Sequence, residues 1–148
     1  MINSQKNNFF KQMMFLSIAL SSFIIAFDAT ITNIALPKIS NDFKISIDVS
    51  KWIVSSYSLS FASFLLISGM ISDKYGSKRV FMHSMFYFLI GSLLCSLSWD
   101  YMIIGRILQG FSSALMIPSS MSLITLLYNY PKERTRKIGI WGVFQLLH

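Results

Sequence analysis

The chain has 148 residues, of which 53% are hydrophobic and only 13% are charged. The charged share is about half of that in an ordinary soluble domain, and it excludes intrinsic disorder, which needs low hydrophobicity and a high charge density. Cys95 is the only cysteine, which excludes a disulfide scaffold, and one cysteine with two distant histidines does not supply the ligands of a zinc site. The net charge of +7 would indicate nucleic-acid binding in a soluble protein, so its distribution along the chain is decisive.

The stretches between the charges are long enough to cross a membrane. A spanning helix needs about 20 mostly apolar residues, and four segments satisfy this requirement: residues 13–36, 52–71, 80–99 and 101–128. A fifth apolar run, residues 138–148, would rise only roughly 16 Å as a helix, about half of the hydrocarbon core. We therefore predict one all-α domain, a polytopic membrane helix bundle with four full spans and a fifth that is incomplete at residue 148.

The basic residues of the short connecting segments predict the orientation of these spans. Lys and Arg concentrate on the cytoplasmic side of membrane proteins. Three lysines fall on one side of the predicted bundle, and the other side carries Lys6, Lys11, Lys74, Lys78, Arg79, Lys132, Arg134, Arg136 and Lys137. We therefore predict a multi-pass protein of the cell (inner) membrane with a cytoplasmic N-terminus. The basic residues thus have a role in orienting the protein in the lipid bilayer, which is sufficient to explain the positive net charge. No nucleic-acid partner is expected.

Two charges of opposite sign lie inside the predicted spans, and such residues are functional candidates by default. Counting the helical rise from the span ends places Asp28 and Arg106 each about 8 Å below the outer boundary. Each shares a face of its helix with small or polar residues: Ser17, Ser21, Thr32 and Ala35 beside Asp28, and Gln109, Gly110, Ser113 and Ser120 beside Arg106. Two interpretations remain open, a fixed ion pair that joins two helices and a pair that exchanges protons as it opens and closes.

The segment between the second and third spans has a distinctive spacing of glycine, aspartate and basic residues. Gly69, Asp73, Gly76, Lys78 and Arg79 form the pattern G-x-x-x-D-x-x-G-x-K-R. This pattern resembles the signature loop of the major facilitator superfamily, although Ser77 stands where the family usually has a basic residue. Gly69 suits close helix approach, and Gly76 suits a turn with positive φ. The resemblance implies that Asp73 helps to latch the two halves of a transporter on the cytoplasmic side.

Two further motifs resemble one subfamily, the fourteen-helix drug:proton antiporters. The segment from Asp28 to Pro37, with Thr30 and Asn33 at matching positions, is similar to their helix-one motif D-x-T-I-V-N-V-A-L-P, with Thr32 replacing valine. The segment Arg106-Ile107-Leu108-Gln109-Gly110 is similar to their helix-four motif R-x-x-Q-G. The resemblance implies export of drugs or other lipophilic, often cationic compounds, driven by the proton gradient without a cofactor. It implies that proton coupling or substrate binding involves Asp28, Arg106 and Gln109.

The chain could be part of a transporter, a fragment that does not transport, or a membrane enzyme. Because the antiporter motif of helix five would extend beyond Trp141, the chain is expected to be the N-terminal part of a longer transporter. The partners would then be the missing C-terminal helices and a small-molecule substrate. The alternative is a truncated membrane fragment without transport of its own, either inert or interfering with a full-length transporter. An enzyme is not expected, because the sequence offers no nucleophile–base pair, metal cluster or phosphate loop.

Overall fold

A computed structural model of the chain describes residues 2–146, and within them the side chains of residues 9–143 and 145. These residues form five helices and no strand, which confirms the all-α prediction. The helices are α1 (Ile2–Asp42), α2 (Ile47–Tyr75), α3 (Ser77–Leu97), α4 (Trp99–Leu127) and α5 (Pro131–Leu146). Residues 147 and 148, the end of the predicted fifth span, lie outside the described residues.

Four helices of the described chain, α1 to α4, are long and apolar enough to cross a membrane. All four helices differ from their predicted spans at both ends, and two of the differences concern the connecting segments. Helix α1 continues through Pro37 to Asp42, although proline has no N–H to donate to the carbonyl of Asn33. The third predicted span included Trp99, but α3 ends at Leu97 and Trp99 is the first residue of α4. Extended backbone at Ser98 alone connects the two helices.

Helix α4 is the central element of the bundle. It packs along most of its length against α2 and α3, and it also contacts α1 and α5. Small residues permit this close packing: a Cβ atom added to Gly105 would lie 2.6 Å from the carbonyl oxygen of Gly91 in α3. Ser60 of α2 donates a hydrogen bond of 2.8 Å to the backbone carbonyl of Ile107, which joins α2 to α4.

The distribution of apolar side chains is that of a membrane bundle. Much of the outer surface of α1, α2 and α3 is apolar, and Leu66 is 86% exposed. Several buried hydroxyls bond within their own helix, since Ser84 and Ser119 donate to carbonyls three or four residues earlier. This hydrogen bonding satisfies those donors where serine lines the helix contacts, whereas the hydroxyl of Ser113 has no partner among the described residues. Polar groups thus lie inside the bundle while large apolar groups face outward.

Candidate functional site

The two charges predicted inside the membrane spans are in direct contact. Nη1 of Arg106 in α4 lies 2.5 Å from Oδ2 of Asp28 in α1, although 78 residues separate them along the chain. The prediction of equal depth is therefore confirmed. The side chain of Arg106 is 3% exposed, whereas that of Asp28 is 20% exposed. The carboxylate is thus the more exposed member of the pair among the described residues.

Gln109, one turn beyond Arg106, completes a three-residue cluster. Its Oε1 accepts a hydrogen bond of 3.0 Å from Arg106 Nη1, and its Nε2 donates one of 3.2 Å to Asp28 Oδ1. Flipping the amide would oppose donor to donor and acceptor to acceptor, so these two partners fix its orientation. The thiol of Cys95 in α3 also lies 3.5 Å from Oε1. Gln109 therefore links the ion pair to α3.

Helix α2 holds the guanidinium of Arg106 from the other side. Arg106 Nε donates a hydrogen bond of 3.4 Å to the carbonyl of Ile53, and its guanidinium carbon lies 4.4 Å from the ring centroid of Tyr57. A cation over a desolvated aromatic face is stabilised by roughly 2 kcal/mol. Gly110 makes this approach possible, because its Cα lies against the backbone of Tyr57. Four helices thus meet at the cluster, with Arg106 at its centre.

The other residues of the helix-one motif do not join this cluster. Thr30 and Asn33 are exposed and bond only to carbonyls of their own helix, those of Ala26 and Ala29. Pro37 is exposed near the end of α1. The predicted polar face of α4 is confirmed, since Gln109, Gly110, Ser113 and Ser120 are buried together with Arg106. On α1, by contrast, Ser17 is exposed while Ser21 is buried.

The signature loop forms a one-residue turn between α2 and α3. Gly76 has φ 88° and ψ 125°, and its N–H donates to the carbonyl of Ser72. Ser77 lies in a buried hydroxyl chain, accepting from Ser72 at 3.3 Å and donating to Ser122 of α4 at 2.7 Å. The family-typical basic residue is thus replaced by a serine that anchors the turn to α4. Asp73, Lys78 and Arg79 are exposed.

Gly69 makes no close approach within the described part of the chain. A Cβ atom added there would meet no heavy atom within 4 Å. The close packing expected from its position in the motif is therefore not made with α1, α3, α4 or α5. The motif surface formed by Gly69, Asp73, Lys78 and Arg79 is therefore not covered by another described helix.

Gly76 is expected to be the least replaceable residue of this turn. Substitution by alanine forces a side chain into positive φ outside the left-handed helical region, which costs about 1–3 kcal/mol. We expect Gly76→Ala to lower the thermal stability of the purified protein in detergent, and Gly69→Ala to leave it unchanged or raised. Equal stabilities of the two variants would contradict the strain at Gly76.

A cavity of about 210 Å³ adjoins the cluster between α1, α2, α4 and α5. Its lining combines apolar groups with four polar side chains, those of Ser22, Tyr57, Ser58 and Gln145. Nε2 of Gln145 is buried and has no hydrogen-bond partner among the described residues. Tyr57 lies between this cavity and the guanidinium of Arg106. A lipophilic ligand in the cavity would therefore be close to the ion pair and would meet an unused hydrogen-bond donor.

Three residues of this site were not predicted from the sequence. The α2 residue Tyr57 and the thiol of Cys95 gave no signal in the helical pattern, because nothing in a single helix shows which partner its aromatic or sulfur group meets. Gln145 is a polar residue in an otherwise apolar run, which is the one sequence feature that would have singled it out.

Comparison with known proteins agrees with the geometry. The family model described as Major Facilitator Superfamily matches residues 18–147. The chain belongs to this superfamily. Its membership and its apolar helices make it a multi-pass membrane protein of a transporter family, which confirms that it is not an enzyme.

Relatives in the superfamily carry names that refer to drug resistance. The chain is 35% identical over 127 residues to a methylenomycin A resistance protein of Bacillus subtilis, covering 84% of this chain and 27% of the relative. It is 35% identical over 131 residues to the probable multidrug resistance protein EmrY of Escherichia coli, covering 86% and 25%. It is 32% identical over 121 residues to a puromycin resistance protein of Streptomyces alboniger, covering 80% and 24%. The chain thus spans about a quarter of the length of these curated relatives.

Proposed function

We propose that this major facilitator chain is part of a proton-coupled exporter of drugs or other lipophilic, often cationic compounds. The observation that carries the proposal is the contact of Asp28 with Arg106 and Gln109 inside the bundle. An ionisable pair at membrane depth is expensive to keep there unless it serves transport or helix association. The partial exposure of the Asp28 carboxylate favours transport, because a proton can reach this group without prior opening of the helices.

The chemistry of coupling follows from the hydrogen bonds of Asp28. Its ionised carboxylate accepts from both Arg106 and Gln109, so α1 and α4 are held together while it is charged. Protonation removes the charge and converts one acceptor oxygen into a hydroxyl donor, which weakens both bonds. A proton taken up by Asp28 would therefore loosen α1 from α4, and proton release would restore the contact.

We infer the substrate class from the same carboxylate and from the cavity beside Tyr57. A lipophilic cation can replace Arg106 as the counter-charge of Asp28, so cation and proton compete for one group. The cavity beside Tyr57 provides an apolar surface for the remainder of the ligand. Because the cationic drug and the proton would compete for the carboxylate of Asp28, binding of one would release the other, as exchange of drug against proton requires.

The proposal also includes the membrane location of the chain and its partners. We place the chain in the inner membrane with its N-terminus in the cytoplasm, as the basic residues favour. Alternating access rocks one helix bundle against another around a midplane site. The partners of this segment are therefore the substrate, the bilayer and further helices of a complete transporter. The open surface at Gly69 and Asp73 is the proposed latch against those helices.

Drug susceptibility tests the proposal. The natural gene, expressed in a drug-sensitive bacterial strain, is expected to raise resistance to puromycin, methylenomycin A or a quaternary ammonium compound. A protonophore is expected to abolish the export. Unchanged susceptibility to all three compounds, with the protein present in the membrane, would refute the proposal. A fall in the resistance conferred by a co-expressed full-length relative would support the interfering-fragment alternative instead.

A further inference from the structure

A basic recess lies at one end of the bundle, far along the helices from the Asp28–Arg106 pair. It has a volume of about 290 Å³ and is lined by Lys11, Gln12, Tyr128, Glu133, Arg136 and Lys137. Three elements form it: the first part of α1, the residue that follows α4 and the first turns of α5. Three of the six lining residues are cations and one is a carboxylate, so the recess carries a positive charge.

The cations of this recess, Lys11, Arg136 and Lys137, have no ion-pair partner among the described side chains. Glu133 is exposed and forms no ion pair with Lys137 one turn later, although the i,i+4 spacing permits it. Three cations in one recess create a positive potential that attracts an anion.

Aromatic contacts hold one of these cations in place. The ammonium of Lys137 lies 4.1 Å from the ring centroid of Phe15 and 5.4 Å from that of Tyr128. These two rings pack edge to face, with centroids 6.1 Å apart. The contacts restrict the long lysine side chain, so less rotamer entropy is lost when it binds a ligand. Lys137 is thus positioned before any anion arrives.

The recess lies at the level of lipid headgroups. The predicted spans begin at residue 13, end at residue 128 and resume at residue 138. The lining residues fall on or just outside each of these three independently predicted boundaries. Lipid phosphates occupy this plane beside the hydrocarbon core, and basic recesses between membrane helices at this level bind anionic headgroups.

We propose that this recess binds the phosphate diester of an anionic phospholipid. Lys11, Arg136 and Lys137 supply the positive charge, and Gln12 and the hydroxyl of Tyr128 supply neutral hydrogen-bond donors. The phosphate would add a polar link between α1 and α5, which already contact each other. The acyl chains would lie along the exposed apolar faces of these helices.

Native mass spectrometry of the purified protein in detergent tests this site. The protein is titrated with phosphatidylglycerol, with cardiolipin and, as a neutral control, with phosphatidylcholine. We expect retention of one anionic lipid at concentrations where phosphatidylcholine is lost. Lys11→Gln and Arg136→Gln are each expected to weaken retention about fivefold, and together more than tenfold. Lys132→Gln removes the same charge from α5 outside the recess and is expected to retain the lipid like the wild type.

Each outcome of this experiment decides the proposal. Equal retention of phosphatidylcholine, or an equal loss in Lys132→Gln, would overturn it because surface charge or apolar contact would then explain binding. If the double variant fails to fold, Lys11→Arg with Arg136→Lys keeps the charges and is expected to restore both folding and retention. Displacement of the lipid by millimolar inorganic phosphate would instead identify a site for free anion and overturn the lipid assignment.

Discussion

Replacement of Asp28 by asparagine is expected to abolish proton-coupled export while the protein still reaches the membrane in normal amounts. Asparagine keeps an oxygen that can accept the hydrogen bond from Gln109, but it removes the group that exchanges a proton and the counter-charge of Arg106. The buried guanidinium of Arg106 keeps its hydrogen bonds to Gln109 and to the carbonyl of Ile53 and its place over the ring of Tyr57, and we expect these contacts to offset the lost counter-charge enough for normal folding. A large effect on export with a small effect on protein level is therefore the expected signature.

Substrate-driven proton movement in everted membrane vesicles measures this effect directly. Vesicles containing the wild-type protein are acidified by respiration, and added drug is expected to release protons and restore the fluorescence of a pH-sensitive dye. Vesicles with Asp28→Asn are expected to give no response. Asp48→Asn is a matched control, because Asp48 is exposed and pairs only with Lys51 of its own helix. A wild-type response of Asp28→Asn would refute a role of Asp28 in coupling.

The second large effect is expected at Gly110, where α2 and α4 are in backbone contact. A Cβ atom added to Gly110 would lie 3.1 Å from the backbone nitrogen of Phe61 and closer still to the carbonyl oxygen of Tyr57. Backbone atoms cannot rotate away as side chains do, so the helices must separate. Overpacking of this kind costs about 1–3 kcal/mol. Separation would also lengthen the hydrogen bond from Arg106 to the carbonyl of Ile53.

Thermal unfolding in detergent measures the effect of Gly110→Ala. Alanine in a helix is normally more stable than glycine by about 1 kcal/mol, so a loss of stability must come from the contact with α2. Gly69→Ala is the control for helix propensity, because an added Cβ there meets nothing within 4 Å. We expect Gly110→Ala to unfold at a clearly lower temperature than the wild type and Gly69→Ala at the same or a higher one. A Gly110→Ala variant as stable as Gly69→Ala would show that this helix contact can relax without cost.

The helical periodicity and rise explain why the ion pair was predictable. A rise of 1.5 Å per residue converts sequence position into depth, so Asp28 and Arg106 could be placed at one level before their contact was known. The same arithmetic could not choose the partner of Gln109, because both Asp28 and Cys95 lie within its reach only after α1 and α3 have packed on α4. Nor could it predict that Thr30 and Asn33 face away from the cluster although they share its motif.

The sequence by itself determined the membrane class, the number of long apolar helices, the level of the two buried charges and the resemblance to a drug:proton antiporter. These properties depend on hydropathy, periodicity and motif spacing, which are local along one helix. The tertiary structure decided which helix is central, how Tyr57 and Gln109 surround Arg106, and that Lys11, Arg136 and Lys137 share one recess. These are contacts between helices, and close packing at glycines such as Gly91, Gly105 and Gly110 selects them from many arrangements that the hydrophobic pattern alone would allow.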